Sequence, residues 1–246
     1  MQGNIYCDVF PYKHSKIAQN FHLNANYINS IFNEKLFVAA QAPTENSLQN
    51  FVLSLFFEPV SVVIMLCDYY HTEQYFTYKK GNLKINSELS VECLNIENKT
   101  GITKRILQIN YQGVNKIITH YNFLSWPDNS VPQPENYPQI EELIEIIQTV
   151  NEKNNLENQQ QQDKNLIFVH CMAGIGRTGT LITLANIFLL LNFYKENHKE
   201  DWESQIISIF SIIRREREQR QWIVQTEEQY EFVHKFTLRM FQKLFE

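Results

Sequence analysis

The chain has 246 residues, 43% of them hydrophobic, with a formal net charge of −5; that is enough for one large domain or two small ones around a sizeable core. The acidic balance argues against nucleic acid or an anionic membrane as the main partner. The four cysteines, Cys7, Cys67, Cys93 and Cys171, are scattered with no Cys-x-x-Cys pair, which does not look like a disulfide framework or a zinc site and fits a reducing compartment.

In chain order, residues 3–11 read as a loop entering extended structure, and 35–40 as a strand. Thr44 is placed to cap a helix, because Leu48, Phe51, Val52 and Leu55 follow at helical spacing and Glu58-Pro59 ends it. Residues 61–66 are a β-branched run, expected as a strand buried on both faces. Residues 83–96, 103–111 and 116–123 read as further strands, with turn residues at 98–101 and 112–115 that suit antiparallel hairpins. A helix is expected over 136–150, with Ile140, Leu143, Ile144 and Ile147 on one face. Residues 151–164, which include four consecutive glutamines, are polar low complexity and read as a surface loop with no core face. Trp202, Ile206, Ile209, Phe210 and Ile213 mark another amphipathic helix, and the mixed charges of 214–220 read as its solvated end. No signal peptide or membrane span is apparent, so a cytoplasmic or nuclear chain without membrane insertion is expected.

Residues 165–169 read as a buried strand and 180–194 as a buried helix. Between them runs His170-Cys171-Met172-Ala173-Gly174-Ile175-Gly176-Arg177-Thr178-Gly179. Glycines there let the backbone curl and aim successive N–H groups inward, and the helix start adds partial positive charge. The turn is therefore an anion cradle. A thiol over such a cradle ionises readily. Arg177 offers a planar fork to two phosphate oxygens, and Thr178 can donate its hydroxyl to the sulfur. The set suits a cysteine attacking a bound phosphate monoester. A structural cysteine beside a glycine-rich turn has no need of His, Cys, Arg, Thr and glycines at this spacing.

The loop resembles the signature of the cysteine-dependent protein tyrosine phosphatases, His-Cys-Ser-x-Gly-x-Gly-Arg-Ser/Thr-Gly, with Met172 departing from it. Other stretches are similar to that family in the same order. Asn4, Tyr6, Asp8 and Val9 match Lys-Asn-Arg-Tyr-x-Asp-Val/Ile, with Gly3 and Ile5 replacing the Lys and Arg. Residues 26–30 resemble Asn-Tyr-Ile-Asn-Ala. Trp126-Pro127-Asp128 resembles the family's closing loop, with Ser130 where a glycine is usual, and residues 224–232 resemble its last motif.

The resemblance implies a classical, phosphotyrosine-specific domain spanning 1–246, of α/β class, with a twisted mixed sheet flanked by helices on both sides. It implies Cys171 as nucleophile and Asp128 as general acid and base. Arg177 would bind the phosphate with the backbone of Met172, Ala173, Gly174, Ile175 and Gly176. Gln225 would position water with Gln229 in support. Tyr6 would wall the pocket and Asp8 would accept hydrogen bonds from the substrate backbone. His170 would fix the loop without acting as a base, Trp126 would anchor the acid loop, and Trp222 would narrow the entrance. Arg217 stands where the family has an arginine near the site. No metal or cofactor is implied, the partners are phosphotyrosine-containing proteins, and a monomer is expected. Two departures stand out: residues 67–73 are shorter than the family's loop and offer no counterpart for the glutamate that braces the loop arginine, and the family's usual helical segment before Gly3 is not in the sequence, which is either truncated there or without that segment. A shallower dual-specificity phosphatase, a phosphotyrosine-binding protein without turnover, and a cysteine-based sulfur or arsenate enzyme are the alternatives. The last has no use for Trp126-Pro127-Asp128 or Tyr6.

Overall fold

The apolar, β-branched runs of the sequence make the middle of one sheet. In the computed structural model, which describes residues 4–17, 22–68, 72–99, 101–157, 164–198 and 204–245, strands β1 (Ala25–Ile28), β2 (Phe37–Ala40), β3 (Val60–Met65), β4 (Gly81–Lys84), β5 (Leu89–Lys99), β6 (Ile102–Tyr111), β7 (Val114–Phe123) and β8 (Leu166–His170) pair in the order β1-β2-β8-β3-β7-β6-β5-β4. The sheet is mixed: β8 runs parallel to β2 and β3, β3 runs parallel to β7, and the outer pairs are antiparallel. β3 and β8 are buried almost throughout, as continuous apolar runs between neighbours must be. Five helices accompany the sheet among the described residues: α1 (Leu48–Phe57), α2 (Tyr137–Glu157), α3 (Gly176–Asn197), α4 (Ile209–Arg217) and α5 (Glu227–Phe245). None is long and apolar enough to cross a membrane.

Several boundaries differ from the sequence-based expectation, each for a local reason. Thr44 does not cap α1. Its carbonyl accepts the amides of Ser47 and Leu48 at 2.9 and 2.8 Å, so it closes a preparatory turn and the helix starts after Ser47. The strand expected over 83–96 is two strands, because Asn86 Oδ1 accepts the amides of Glu88 and Leu89 and turns the chain between β4 and β5. The hairpin from β6 to β7 is as expected: Tyr111 faces Val114, and Gln112 and Gly113 both take positive φ, 50° and 82°, the pair of values that a tight two-residue turn requires.

The largest correction concerns α2, which runs on through residues expected to be a loop. Asn151 and Asn154 are buried on it. Asn154 donates to the Asn165 carbonyl at 2.9 Å and accepts its amide at 2.8 Å, clamping the helix to the entry of β8, and Asn33 donates to Asn151 Oδ1 at 3.1 Å. A polar stripe can thus be a packed face when its amides find backbone partners. The glutamine run lies outside the described residues. The helix expected from residue 202 begins only at Ile209, with Ser208 Oγ accepting the Ser211 amide at 3.2 Å as its cap. Ile206 precedes the helix and Phe210 faces solvent, while Trp202 lies outside the described residues. Nor is 214–220 a solvated end, since Glu216 and Arg220 within it are buried.

Candidate active site

The strand β8 delivers Cys171 to the carboxyl edge of the sheet, and the chain turns through residues 171–175 into α3. Gly174 makes that turn possible. Its φ is +70°, and a Cβ there would lie 2.1 Å from the Ala40 carbonyl oxygen, so no other residue fits. Ala42 N donates to the Met172 carbonyl at 3.0 Å and ties the loop to the chain leaving β2. His170 is fully buried. Its Nε2 meets the Tyr75 hydroxyl at 2.7 Å, and that hydroxyl also meets His120 Nε2 at 2.8 Å. Burial lowers the His170 pKa to about 4, despite the nearby Cys171 carbonyl, which raises it. The ring is therefore neutral at neutral pH.

Arg177 is 5% exposed and opens α3. Its Nη1 donates to the Trp126 carbonyl at 3.1 Å and its Nη2 to Asp128 Oδ1 at 2.6 Å. Nε has no partner among the described residues. The guanidinium is thus held from the Trp126–Asp128 loop, with no described contact from a glutamate in 67–73. Trp126 is buried, donates from its indole to the Ser130 carbonyl at 2.9 Å and packs edge-on against Phe232, which closes the loop on itself. Gln229, also buried, spans two loops: Oε1 accepts the Gln225 amide at 3.0 Å and Nε2 donates to the Ser130 carbonyl at 3.4 Å.

These elements enclose a cavity of about 360 Å³ lined by Tyr6, Asp8, Asp128, Cys171, Met172, Ala173, Ile175, Gly176, Arg177, Trp222, Gln225 and Gln229, with Val9 and Asn129. Most of the residues expected from the sequence line it, but His170 and Trp126 lie outside the lining. Gly174 is not part of the lining; it shapes the turn beneath. Thr178 is not either: its hydroxyl is buried with no hydrogen-bond partner among the described residues, Cys171 included, so the expected bond to the sulfur is not made. Burial raises the Tyr6 pKa, and Asp128, Cys171 and Asp8 push it the same way against Arg177, which places this phenol beside the charges of the site.

The family model described as protein-tyrosine phosphatase matches residues 1–239. The chain belongs to the protein-tyrosine phosphatase family. It is 25% identical over 99% of its length to human tyrosine-protein phosphatase non-receptor type 12 and 28% identical over 94% to human non-receptor type 9. It spans 30% and 39% of those two proteins. The catalytic domain of human protein tyrosine phosphatase non-receptor type 18 superposes with a TM-score of 0.78 at 25% identity, over 97% of this chain and 84% of that one. A second structure, described as the basis of the PTPN18 fingerprint on HER2 tyrosine phosphorylation sites, reaches 0.81 at 24% identity over 98% and 84%.

Within this phosphatase-family site, sequence reasoning missed Arg220. Its side chain is fully buried beneath the phosphatase loop. Nε donates to the Gly174 carbonyl at 2.7 Å and Nη2 to the Ala173 carbonyl at 2.9 Å, while Nη1 and Nη2 reach Asn26 Oδ1 and Asn24 Oδ1 at 2.7 and 3.1 Å. A signal was available: Ile209, Ile212, Ile213 and Glu216 are the inward positions of α4, and Arg220 continues that face four residues on. Arg217 does not line the cavity. It donates to the Ile223 and Val224 carbonyls at 2.9 and 2.7 Å and so holds the segment leading to Gln225. Trp222 sits at the rim, 58% exposed, with φ at +62°, a left-handed value that a bulky residue adopts only at a cost.

Proposed function

We propose that this chain hydrolyses phosphotyrosine in proteins through a cysteinyl-phosphate intermediate. The observation that carries the reading is the convergence of Cys171, Arg177, Asp128 and Gln225 on one cavity walled by Tyr6. The Cys171 thiolate attacks phosphorus while the loop amides and Arg177 hold the equatorial oxygens, and Asp128 gives its proton to the leaving phenol oxygen. Water placed by Gln225 then loses a proton to Asp128 and attacks the phosphocysteine, releasing phosphate. The phosphate takes the place that Asp128 occupies on Arg177 at rest, which frees the carboxyl to turn toward the phenol.

Residues 1–246 act as one catalytic domain in this reading, monomeric and cytoplasmic, with phosphotyrosine-containing proteins as partners. PTPN18 structures in complex with HER2-pY1196 and HER2-pY1248 phosphopeptides support the substrate class by similarity of fold. Selectivity comes from depth: an aromatic ester spans the wall made by Tyr6, whereas a phosphothreonine falls short of Cys171.

Purified chain should therefore release phosphate from a phosphotyrosine peptide and not from its phosphothreonine counterpart. Comparable rates on the two would favour a dual-specificity enzyme. The partnerless Arg177 Nε supports a second reading, a phosphotyrosine-binding module that turns over little; tight peptide binding without phosphate release would establish it. Trp222→Gly is expected to raise the melting temperature, because glycine takes a left-handed φ at little cost, and to speed hydrolysis of bulky aryl phosphates by widening the mouth. Unchanged values of both would remove Trp222 from the rim argument.

A further inference from the structure

Behind the phosphatase loop lies a buried carboxylate that the reaction does not use. Glu216 is 2% exposed on α4. Its Oε2 accepts the Thr183 hydroxyl at 2.5 Å and its Oε1 accepts Asn186 Nδ2 at 2.8 Å, both from α3. Asn186 also accepts the Ile31 amide at 3.0 Å, and Gln219 Oε1 accepts the Asn29 amide at 2.7 Å, so the chain between β1 and β2 is tied into the same cluster. A cavity of about 20 Å³ lined by Asn29, Ser30, Asn186, Arg215, Glu216 and Gln219 adjoins it, room for one water.

The cluster sits at a mechanical junction. α3 begins with Gly176 and Arg177. Directly after Glu216 comes Arg217, which holds the Ile223 and Val224 carbonyls ahead of Gln225. Four residues after Glu216 comes Arg220, whose amide donates to the Glu216 carbonyl at 2.9 Å and whose side chain holds the Ala173 and Gly174 carbonyls. We propose that Glu216 is a positioning residue: it seats α4 on α3 so that Arg217 and Arg220 hold the two loops on either side of Cys171, and its protonation sets how firmly they are held.

The charges around it decide the direction. Thr183 and Asn186 of α3, and Asn29, Ser30 and Ile31 beyond β1, are uncharged. On its own element Arg215 shares the small cavity and Arg217 is engaged elsewhere, as is Arg220 just beyond the helix. With no cation bonded to it among the described residues, burial outweighs the two hydrogen bonds and raises the Glu216 pKa from 4.5 to about 7. The seated carboxyl keeps its proton up to that pH, whereas a released one loses it near the ordinary carboxylate value. Seating is therefore fully favoured below the ordinary value and weakens as pH rises through about 7.

Glu216→Gln keeps the shape and the hydrogen-bonding capacity without the titration. Over pH 6 to 8.5 the wild type should lose kcat/KM on a phosphotyrosine peptide about threefold more than the variant, and its stability to urea should fall behind the variant's over the same range. Thr183→Val removes a donor to the carboxylate, so it should move the wild-type inflection to higher pH. This activity readout rests on the hydrolysis proposed above. A wild type that releases no phosphate would overturn that reading alone, and the same comparison is then read from sulfate binding to the loop. Parallel pH profiles for wild type and Glu216→Gln, in activity or in sulfate affinity, would overturn the positioning role.

Discussion

Phosphate release is expected to vanish in Cys171→Ser and to fall about 10²–10⁴-fold in Asp128→Ala, the range typical of a lost general acid. The two losses have different causes and can be separated. A serine hydroxyl at the Cys171 position is a poor nucleophile without a base, and the nearest imidazole, His170, is buried against Tyr75 and the Cys171 carbonyl. The first bond to phosphorus then never forms. Asp128→Ala leaves that step intact in principle but removes the proton for the leaving oxygen. It also removes the carboxylate that rests on Arg177 at 2.6 Å. In the proposed reaction a bound phosphate needs that guanidinium and Asp128 competes with substrate at rest, so its loss should leave phosphopeptide affinity unchanged or tighter while kcat collapses. An aryl phosphate with an acidic phenol leaves without much protonation, so the Asp128→Ala deficit should shrink on such a substrate. Steady-state kcat and KM on both substrates, with peptide Kd by calorimetry, test the set. A wild-type kcat in Asp128→Ala would take Asp128 out of the mechanism.

What the sequence disclosed depended on how local the signal was. The turn from β8 through Cys171 to Arg177 is contiguous, so its chemistry could be argued from spacing alone. Asp128, Tyr6 and Gln225 are distant in the chain and became legible only through resemblance, as motifs in order. The order of the sheet was not legible: β8 inserts between β2 and β3, and nothing in the run Leu166–His170 names its neighbours. Arg220 was hidden for the same reason, since its four acceptors lie near residues 24–26 and 173–174, far from it in sequence. In a charged run, composition points to solvent, and only tertiary contact reverses that. Asn151 and Asn154 show the same bias on a smaller scale: hydrophobic periodicity cannot register a helix face whose burial is satisfied by amides. Thr178 erred the other way. Its type and position suggested a bond to sulfur, but the first turn of α3 aims the hydroxyl into a buried place without a partner among the described residues.

Arg220→Lys is expected to cost about 3 kcal/mol of stability or more and to reduce kcat/KM by at least 10²-fold, a larger loss than Arg217→Lys. Burial lowers the Arg220 pKa to about 10 and the charge of Cys171 pulls it back up, so the side chain is a cation at neutral pH. It serves four acceptors at once: two carbonyls of the phosphatase loop and two asparagine oxygens of the β1 region. A lysine has one ammonium and cannot span them. At least two buried acceptors would be left without donors, at about 1–3 kcal/mol each. The carbonyls of Ala173 and Gly174 point down onto the guanidinium, so the amides of the same peptide units are free to point into the cradle. When that anchor is lost, the loop can rotate its peptides, and the donors that hold the transferring phosphoryl group are no longer aimed. Arg217, by contrast, bonds the Ile223 and Val224 carbonyls and no others among the described residues, upstream of Gln225, so Arg217→Lys should slow mainly the hydrolytic second step. Rapid-quench measurement separates the two: Arg220→Lys should lower the burst rate itself, while Arg217→Lys should preserve the burst and depress the turnover that follows. An Arg220→Lys protein that keeps a wild-type burst would show that the loop holds its shape without the buried arginine.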